Sequence, residues 1–182
     1  ERLYATGDLL IEDDRIVQVG GEAGEDWQAD EVVDGRGKLF MPGLVNTHGH
    51  TPMSLLRGYA DDLALQVWLA DYMWPMEAKF TEEDIRYGSL LSIVEMLKGG
   101  TTTFVDMYDH MEVIAQCVDE AGIRARLTRG VIGLCSEEER RLKLERAVRF
   151  AKEWNGRANG RITTMLAPHA PYTCPPDYIE QF

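Results

Sequence analysis

Short alternating segments separated by turn residues fill the first forty positions of the chain. Residues 8–12 form a short apolar run, and residues 15–20 alternate polar and apolar side chains, as expected of a half-buried strand. Asp13 and Asp14 predict a turn between them. Residues 31–34 and 38–40 are further strand candidates. The pattern therefore predicts a small β unit over residues 1–42.

The pattern changes at residues 41–43, Met-Pro-Gly, after which strand-like and helix-like segments alternate. Two predicted helices begin at capping boxes, one at Thr81 and one at Ser136. The predicted helices end near Gly99, Gly122 and Gly156. The predicted strands are residues 44–50, 101–106, 126–132 and 161–166. Regular alternation of this kind indicates βαβ units and a parallel sheet, and four strands make half of a (β/α)₈ barrel.

Composition and charge narrow the range of partners. The 182 residues are 45% hydrophobic and 27% charged, which is ordinary for a globular protein, and the formal net charge is −12. Phosphate binding needs clustered Lys and Arg, so we expect no nucleic acid partner and no anionic membrane partner. No stretch is long and apolar enough to span a bilayer.

Three cysteines, Cys117, Cys135 and Cys174, lie far apart and form no C-x-x-C pair. A sparse, odd count argues against a disulfide framework and for a reducing compartment, so we expect a cytoplasmic protein. The first residues lack a basic region followed by an apolar one, which argues against a signal peptide. Because the chain does not begin with methionine, we expect its true N-terminus to have been trimmed or to lie upstream.

The strongest local signal for chemistry is the pair His48 and His50 around Gly49, at the end of a predicted buried strand. Alternate residues of a strand project to the same side, so their imidazoles can converge on one metal ion. A pair of histidines in a turn is the alternative. Active sites of parallel barrels lie at the C-terminal ends of the strands, which favours a metal site here.

The motif around these histidines resembles that of a known family. Residues 41–50, MPGLVNTHGH, are similar to the P-G-x-x-x-x-H-x-H signature of the amidohydrolase superfamily. Residues 51–63, TPMSLLRGYADDL, resemble the branch of 5′-methylthioadenosine/S-adenosylhomocysteine deaminases and the related triazine chlorohydrolases. Residues 74–77, WPME, and 167–174, APHAPYTC, are similar to two further motifs of that branch. The resemblance covers the whole chain, and its motifs occur in order.

The resemblance implies a fold and a cofactor. The fold is a distorted (β/α)₈ barrel, of which residues 43–182 would be about the first half, and residues 1–42 would belong to a small β-sandwich. The cofactor is one divalent metal ion, usually Zn²⁺ and sometimes Fe²⁺ or another ion, with His48 and His50 as ligands. Binuclear relatives carry a carboxylated lysine after the strand that precedes His169. Since residues 161–174 contain no lysine, a single-metal site is expected.

The resemblance also implies substrate contacts. Glu77 matches a glutamate that binds ribose hydroxyls, and His169 matches a histidine that contacts the substrate without binding metal. Arg129 and Arg141 match arginines that contact the substrate, and a guanidinium suits a carboxylate such as that of homocysteine. Each has a plainer alternative: a solvated charge for Glu77, a core or loop position for His169, and an exposed helix charge for Arg141.

The expected reaction is hydrolytic deamination of an adenine nucleoside, with water activated by the metal and ammonia leaving. A guanine or other base deaminase, a triazine chlorohydrolase, and a non-enzymatic scaffold relative stay open. The remaining ligands, a His and an Asp, and the general acid/base Glu would lie beyond Phe182. We therefore expect this span to be an inactive part of a longer chain, whose partner is a small nucleoside and which can form a homo-oligomer.

Overall fold

The computed structural model describes residues 5–182, and the chain divides into two compact units, Glu1–Pro42 and Gly43–Phe182. The first unit contains one antiparallel pair, β1 (Leu9–Glu12) and β2 (Arg15–Val19). Asp13 at the turn between them has φ +53°, the left-handed conformation that Asp tolerates better than most residues. The turn predicted at this position is confirmed.

Two strand predictions in the first unit are wrong. Residues 31–34 and 38–40 form no strand, although both carry β-branched or aromatic residues. A strand forms only where another strand accepts its hydrogen bonds, and within the described residues of this unit neither segment has such a partner. Val32 and Leu39 accordingly remain largely exposed, at 85% and 79%.

The second unit is built on a parallel sheet with the order β3-β4-β5-β6, and a fifth strand, β7, also pairs with β5. All of these pairings are parallel. The strands are β3 (Leu44–Gly49), β4 (Thr101–Tyr108), β5 (Arg124–Val131), β6 (Ile162–Thr164) and β7 (Ala167–Pro168). The parallel α/β sheet predicted from the alternation is confirmed. Of the strand predicted over residues 161–166, only β6 forms, and β7 begins just after the predicted end.

Three long helices connect the strands: α3 (Glu82–Lys98), α4 (Met111–Ala121) and α5 (Glu137–Trp154). Both predicted capping boxes are present, because Thr81 caps α3 with Asp84 and Ser136 caps α5 with Glu139. Helix α4 ends at Gly122, whose φ of +76° requires a residue without a side chain. The short helix α6 (Pro176–Ile179) follows β7.

Helical structure between β3 and α3 was not predicted from the sequence. A 3₁₀ helix, Thr51–Leu56, follows β3 directly. Further on, α1 (Leu65–Val67), a π-helical segment (Trp68–Met73) and α2 (Trp74–Glu77) run without interruption. Pro75 lies at the start of α2, directly after the π-helical segment. This helical run carries Glu77 at its C-terminal end.

The main hydrophobic core lies between the sheet and the three long helices, and it unites residues from α3, α4, α5, β4, β5 and β6. Its largest members include Phe104, Phe150 and Ile93, all essentially inaccessible. A smaller cluster joins Val131, Ala147, Cys174 and Tyr178 beside the C-terminal segment. Within the described residues, no helix is both long and apolar enough to cross a membrane.

Candidate active site at the C-terminal ends of the strands

The two imidazoles predicted as metal ligands lie side by side. His48 belongs to β3 and His50 follows it, and their ring centroids are 4.9 Å apart with the rings nearly perpendicular. Two imidazoles bound to one tetrahedral zinc ion have centroids about 5 Å apart, given zinc–nitrogen distances of about 2.0–2.1 Å. The spacing therefore fits a shared metal ion.

The hydrogen bonding of His50 determines its tautomer. Its Nδ1 atom lies 2.6 Å from the carbonyl oxygen of Met107 in β4. A carbonyl oxygen only accepts, so Nδ1 carries the proton and Nε2 keeps its lone pair free. Metal-binding histidines in proteins are commonly oriented in this way by a backbone carbonyl. The donor chemistry of His50 fits a divalent cation bound through Nε2.

A buried carboxylate fixes the chain directly after His50. Asp106 is completely buried in β4, and both the N–H and the hydroxyl of Thr51 donate hydrogen bonds to it. Burial raises the pKa of Asp106 above its ordinary value, although the bonds from Thr51 oppose that change. Nothing in the sequence singled out Asp106, because its partner Thr51 lies 55 residues away.

His169 lies close to the histidine pair. It directly follows β7, and its N–H donates to the carbonyl of Val131 at 3.0 Å, which extends the pairing with β5. Burial lowers the pKa of His169, and the charges of His50 and His48 lower it further. The imidazole therefore favours its neutral form. Its Nδ1 atom lies 2.8 Å from the hydroxyl of Thr173, a buried residue that holds the ring.

Among the described residues, the two histidines have no third potential metal ligand arranged with them. Within residues 5–182, no group of three or more His, Cys, Asp or Glu side chains is arranged to hold a metal ion. A catalytic zinc site normally has three protein ligands. His48 and His50 thus fit a metal site that needs at least one further ligand.

Glu77 has a hydrogen-bond partner that the sequence did not indicate. The hydroxyl of Tyr108, at the end of β4, donates to Oε1 of Glu77. Burial raises the pKa of Tyr108, and the Glu77 carboxylate raises it further, so the phenol stays protonated and donates. Within residues 5–182, Oε2 of Glu77 accepts no hydrogen bond. Glu77 therefore presents a half-buried carboxylate with one oxygen fixed and the other free.

Arg129 lies in β5 and is paired in register with Tyr108 of the neighbouring strand. Its guanidinium donates to Glu112 at 3.0 Å and also to Asp109. The side chain is only 18% exposed, so these pairs are better shielded from solvent than ordinary surface pairs. A substrate carboxylate would have to compete with both acidic side chains for this guanidinium.

Arg141 lies apart from this group of residues. It is exposed on α5, where it pairs with Glu145 one turn further on at 2.5 Å. The shallow groove beside it, about 550 Å³ in volume, is lined by other residues of α5 and by Gln181. The cavity beside His50, about 420 Å³, shares none of these residues. The predicted substrate contact of Arg141 stays a prediction.

The chain is similar to known proteins over most of its length. The model of the amidohydrolase family matches residues 39–182. The chain belongs to the amidohydrolase family. Its most similar relatives include a 5-methylthioadenosine/S-adenosylhomocysteine deaminase from Desulforamulus reducens, 50% identical over 100% of this chain and 42% of the relative. Another of that name, from Halalkalibacterium halodurans, is 59% identical over 82% of this chain and 34% of the relative.

Solved structures share the fold of this chain. An adenosine deaminase from Xanthomonas campestris with bound zinc is 41% identical, with a TM-score of 0.69, and the match covers 78% of this chain and 32% of that protein. A triazine hydrolase from Arthrobacter aurescens shares the fold, with a TM-score of 0.83 at 21% identity, over 96% of this chain and 44% of that protein. This amidohydrolase chain spans less than half the length of the curated relatives it matches.

Proposed function

We propose that this chain is the N-terminal part of a metal-dependent deaminase that converts 5′-methylthioadenosine or S-adenosylhomocysteine to the inosyl product and ammonia. The observation that carries the proposal is the placement of Glu77: its half-buried carboxylate has one oxygen bonded to Tyr108 and the other free to accept from a ribose diol. Relatives 46–59% identical to this chain are named as deaminases of these two nucleosides, which supports the same substrate class.

The proposal includes the complete fold. In it, the parallel sheet of residues 43–182 is the first half of a distorted (β/α)₈ barrel, and residues 1–42 contribute to a small β-sandwich. The triazine hydrolase likeness supports the barrel, because it extends over 96% of this chain. The remaining barrel strands would then come from chain outside these 182 residues, as would the other metal ligands and the general acid/base glutamate.

His48 and His50 would hold a single divalent ion, and the bound zinc of the adenosine deaminase relative supports zinc. Such an ion, when bound, activates water for attack on the electron-poor carbon that carries the amino group. His50 would bind through Nε2, since Met107 engages its Nδ1 proton. The intact pair of imidazoles argues against a scaffold relative that has lost catalysis.

The other side chains would orient the nucleoside. Glu77 would accept hydrogen bonds from the ribose hydroxyls. His169, neutral and fixed by Thr173, would contact the purine beside the metal. Arg129 would contact the carboxylate of the homocysteine group, in competition with its pairs to Asp109 and Glu112, which leave a local excess of negative charge. Arg141 would contact the substrate only after a movement of α5 or of its own side chain.

A steady-state assay of a full-length polypeptide carrying this segment tests the proposal. We expect turnover of both nucleosides. The change in absorbance as the adenine ring becomes hypoxanthine measures it, and guanine and a triazine serve as comparison substrates. Glu77→Gln is expected to raise KM for the nucleosides and to leave KM for a free base unchanged. The proposal is rejected if neither nucleoside is turned over.

A further inference from the structure

Tyr108 was not predicted as a site residue, but it contacts the predicted substrate-binding residue Glu77. It is the last residue of β4, and its ring packs against the main hydrophobic core. Its hydroxyl donates to Oε1 of Glu77, which lies 31 positions earlier at the end of α2. The bond therefore links a rigid strand of the sheet to a helical segment that enters from the connection after β3.

We propose that Tyr108 is a positioning residue that fixes the Glu77 carboxylate for a ribose diol. The inference rests on the proposed function, because the diol is the ligand that Glu77 would bind there. A glutamate side chain has three rotatable bonds, and ordering such a side chain on binding costs roughly 0.5–1.5 kcal/mol. Because the bond from Tyr108 orders the Glu77 side chain before the substrate binds, substrate binding does not have to order it.

The direction of the hydrogen bond is unambiguous. An ionised carboxylate only accepts, so the phenol must donate, and the raised pKa of Tyr108 keeps its proton in place. The bond occupies one lone pair of Oε1, which leaves the other lone pair of Oε1 and both lone pairs of Oε2 to accept from the two ribose hydroxyls. Fixing one oxygen therefore selects the plane in which the carboxylate meets the diol.

The strand ending at Tyr108 also connects Glu77 with the metal site. Met107, the preceding residue, accepts the Nδ1 proton of His50 through its carbonyl. Consecutive residues of one strand thus orient the metal ligand and the carboxylate proposed for the diol. This arrangement fixes the distance between the two binding groups through the backbone of β4, which buried Phe104 and Asp106 anchor.

The test compares Tyr108→Phe with the wild type in a full-length polypeptide, using 5′-methylthioadenosine and its 2′,3′-dideoxy analogue. Phenylalanine keeps the ring in the core and removes only the hydroxyl. We expect KM for the diol substrate to rise roughly 2- to 12-fold, the factor that corresponds to ordering one side chain, with kcat within about twofold. The dideoxy analogue should show no change in KM.

A second background shows whether Tyr108 acts through Glu77. In Glu77→Ala, which removes the acceptor of the Tyr108 hydroxyl, the further change Tyr108→Phe should raise KM less than about twofold, because residues that act together are not additive. Tyr87→Phe, an exposed tyrosine on α3, is the matched control and should leave both substrates unaffected. If Tyr108→Phe does not fold, Tyr108→Met keeps a flexible apolar side chain at this position without a hydroxyl donor and should give the same diol-specific rise.

The outcomes separate this inference from the proposed function. An equal KM rise for 5′-methylthioadenosine and its dideoxy analogue, full additivity with Glu77→Ala, or no change at all would overturn the positioning role while nucleoside deamination stands. If the wild type deaminates neither nucleoside, the proposed function fails and the diol role of Tyr108 fails with it.

Discussion

At the scale of single residues, the site depends on backbone carbonyls as much as on side chains. The carbonyl of Met107 determines which nitrogen of His50 is free. The carbonyl of Val131 accepts from the backbone N–H of His169 and so fixes that residue next to β5. Such contacts cannot be removed by substituting the carbonyl-bearing residue, since every residue has the same backbone. Their effect has to be tested through the imidazoles themselves.

His50→Ala in a full-length polypeptide should reduce metal content from about one ion per chain to well below one, because it removes one imidazole ligand and leaves too few donors. Elemental analysis after dialysis measures the result. His110→Asn is the matched control: His110 has φ +49°, a conformation that Asn tolerates, and the substitution should keep the metal. Full metal occupancy in His50→Ala would contradict the assignment of this ligand.

At the scale of secondary structure elements, helix caps account for where α3 and α5 begin. Ser136 accepts from the N–H of Glu139, and the Glu139 carboxylate accepts from the N–H of Ser136. Three acidic residues in the first turn of α5 add a favourable interaction with the helix dipole. These signals are contiguous in sequence, so they do not depend on the rest of the fold.

Ser136→Ala should lower the free energy of unfolding by about 1 kcal/mol at neutral pH, the usual value of an N-cap. The bonds from Ser136 lower the pKa of Glu139, so the stability they give is present above the ordinary value of 4.5 and is lost as pH falls through the lowered pKa. The cost of Ser136→Ala should therefore shrink in acid. Denaturant unfolding at pH 7 and pH 3 measures both values.

Ser136→Thr is the matched control for the cap, because threonine also accepts from the N–H three residues on. It should retain most of the stability at neutral pH. An identical loss for alanine and threonine, or an alanine cost that does not change with pH, would contradict the cap interpretation.

A close approach between α3 and the 3₁₀ helix after β3 depends on Gly88. A Cβ atom at this position would lie 2.5 Å from the carbonyl oxygen of Pro52 and 2.9 Å from its Cα. Both are backbone-anchored atoms, so they cannot move aside without shifting the 3₁₀ helix that follows His50. The periodicity of α3 gave no indication that a glycine was required there.

Gly88→Ala should lower the free energy of unfolding by about 1–3 kcal/mol, as overpacking of a closely packed contact does. Denaturant unfolding measures the loss. Gly24→Ala is the control, since no atom lies within 4 Å of its added Cβ and its φ is not positive. Stability in Gly88→Ala equal to that of Gly24→Ala would show that the contact has room for a methyl group.

At the scale of the whole molecule, helix α3 exposes several large apolar side chains. Helix α3 buries Ile85 and Ile93 on one side. Exposed apolar residues on other positions of the same helix are Tyr87, Leu91, Val94 and Leu97. A helix that is apolar on several sides is typical of an element covered on several sides. Leu44 and Val45 in β3 are also more than half exposed.

The isolated 182-residue segment should therefore bind the dye ANS and self-associate, whereas a polypeptide of the relatives' length should do neither to the same extent. Dye fluorescence and analytical ultracentrifugation at equal concentration measure the difference. A monomeric segment without dye binding would contradict this expectation.

The segment should also lack deaminase activity, because two histidines supply too few ligands and no general base.

The sequence by itself determined the features that depend on neighbouring residues. Both capping boxes, the turn at Asp13, the glycine that ends α4 and the parallel sheet follow from local hydrogen bonds and from the spacing of apolar residues. The pair His48 and His50 was also predictable, because alternate residues near a strand end lie side by side whatever surrounds them. The caps, the turn and the paired histidines need no knowledge of distant chain, and the parallel sheet was inferred from the alternation of strand and helix patterns.

Only the tertiary structure decided the contacts between distant positions. Tyr108 meets Glu77 across 31 residues, and Asp106 meets Thr51 across 55. The failed strand at residues 31–34 has the same cause, because a strand needs a partner that its own sequence does not supply. Periodicity describes what a segment prefers, whereas pairing and packing depend on which segments the fold brings together.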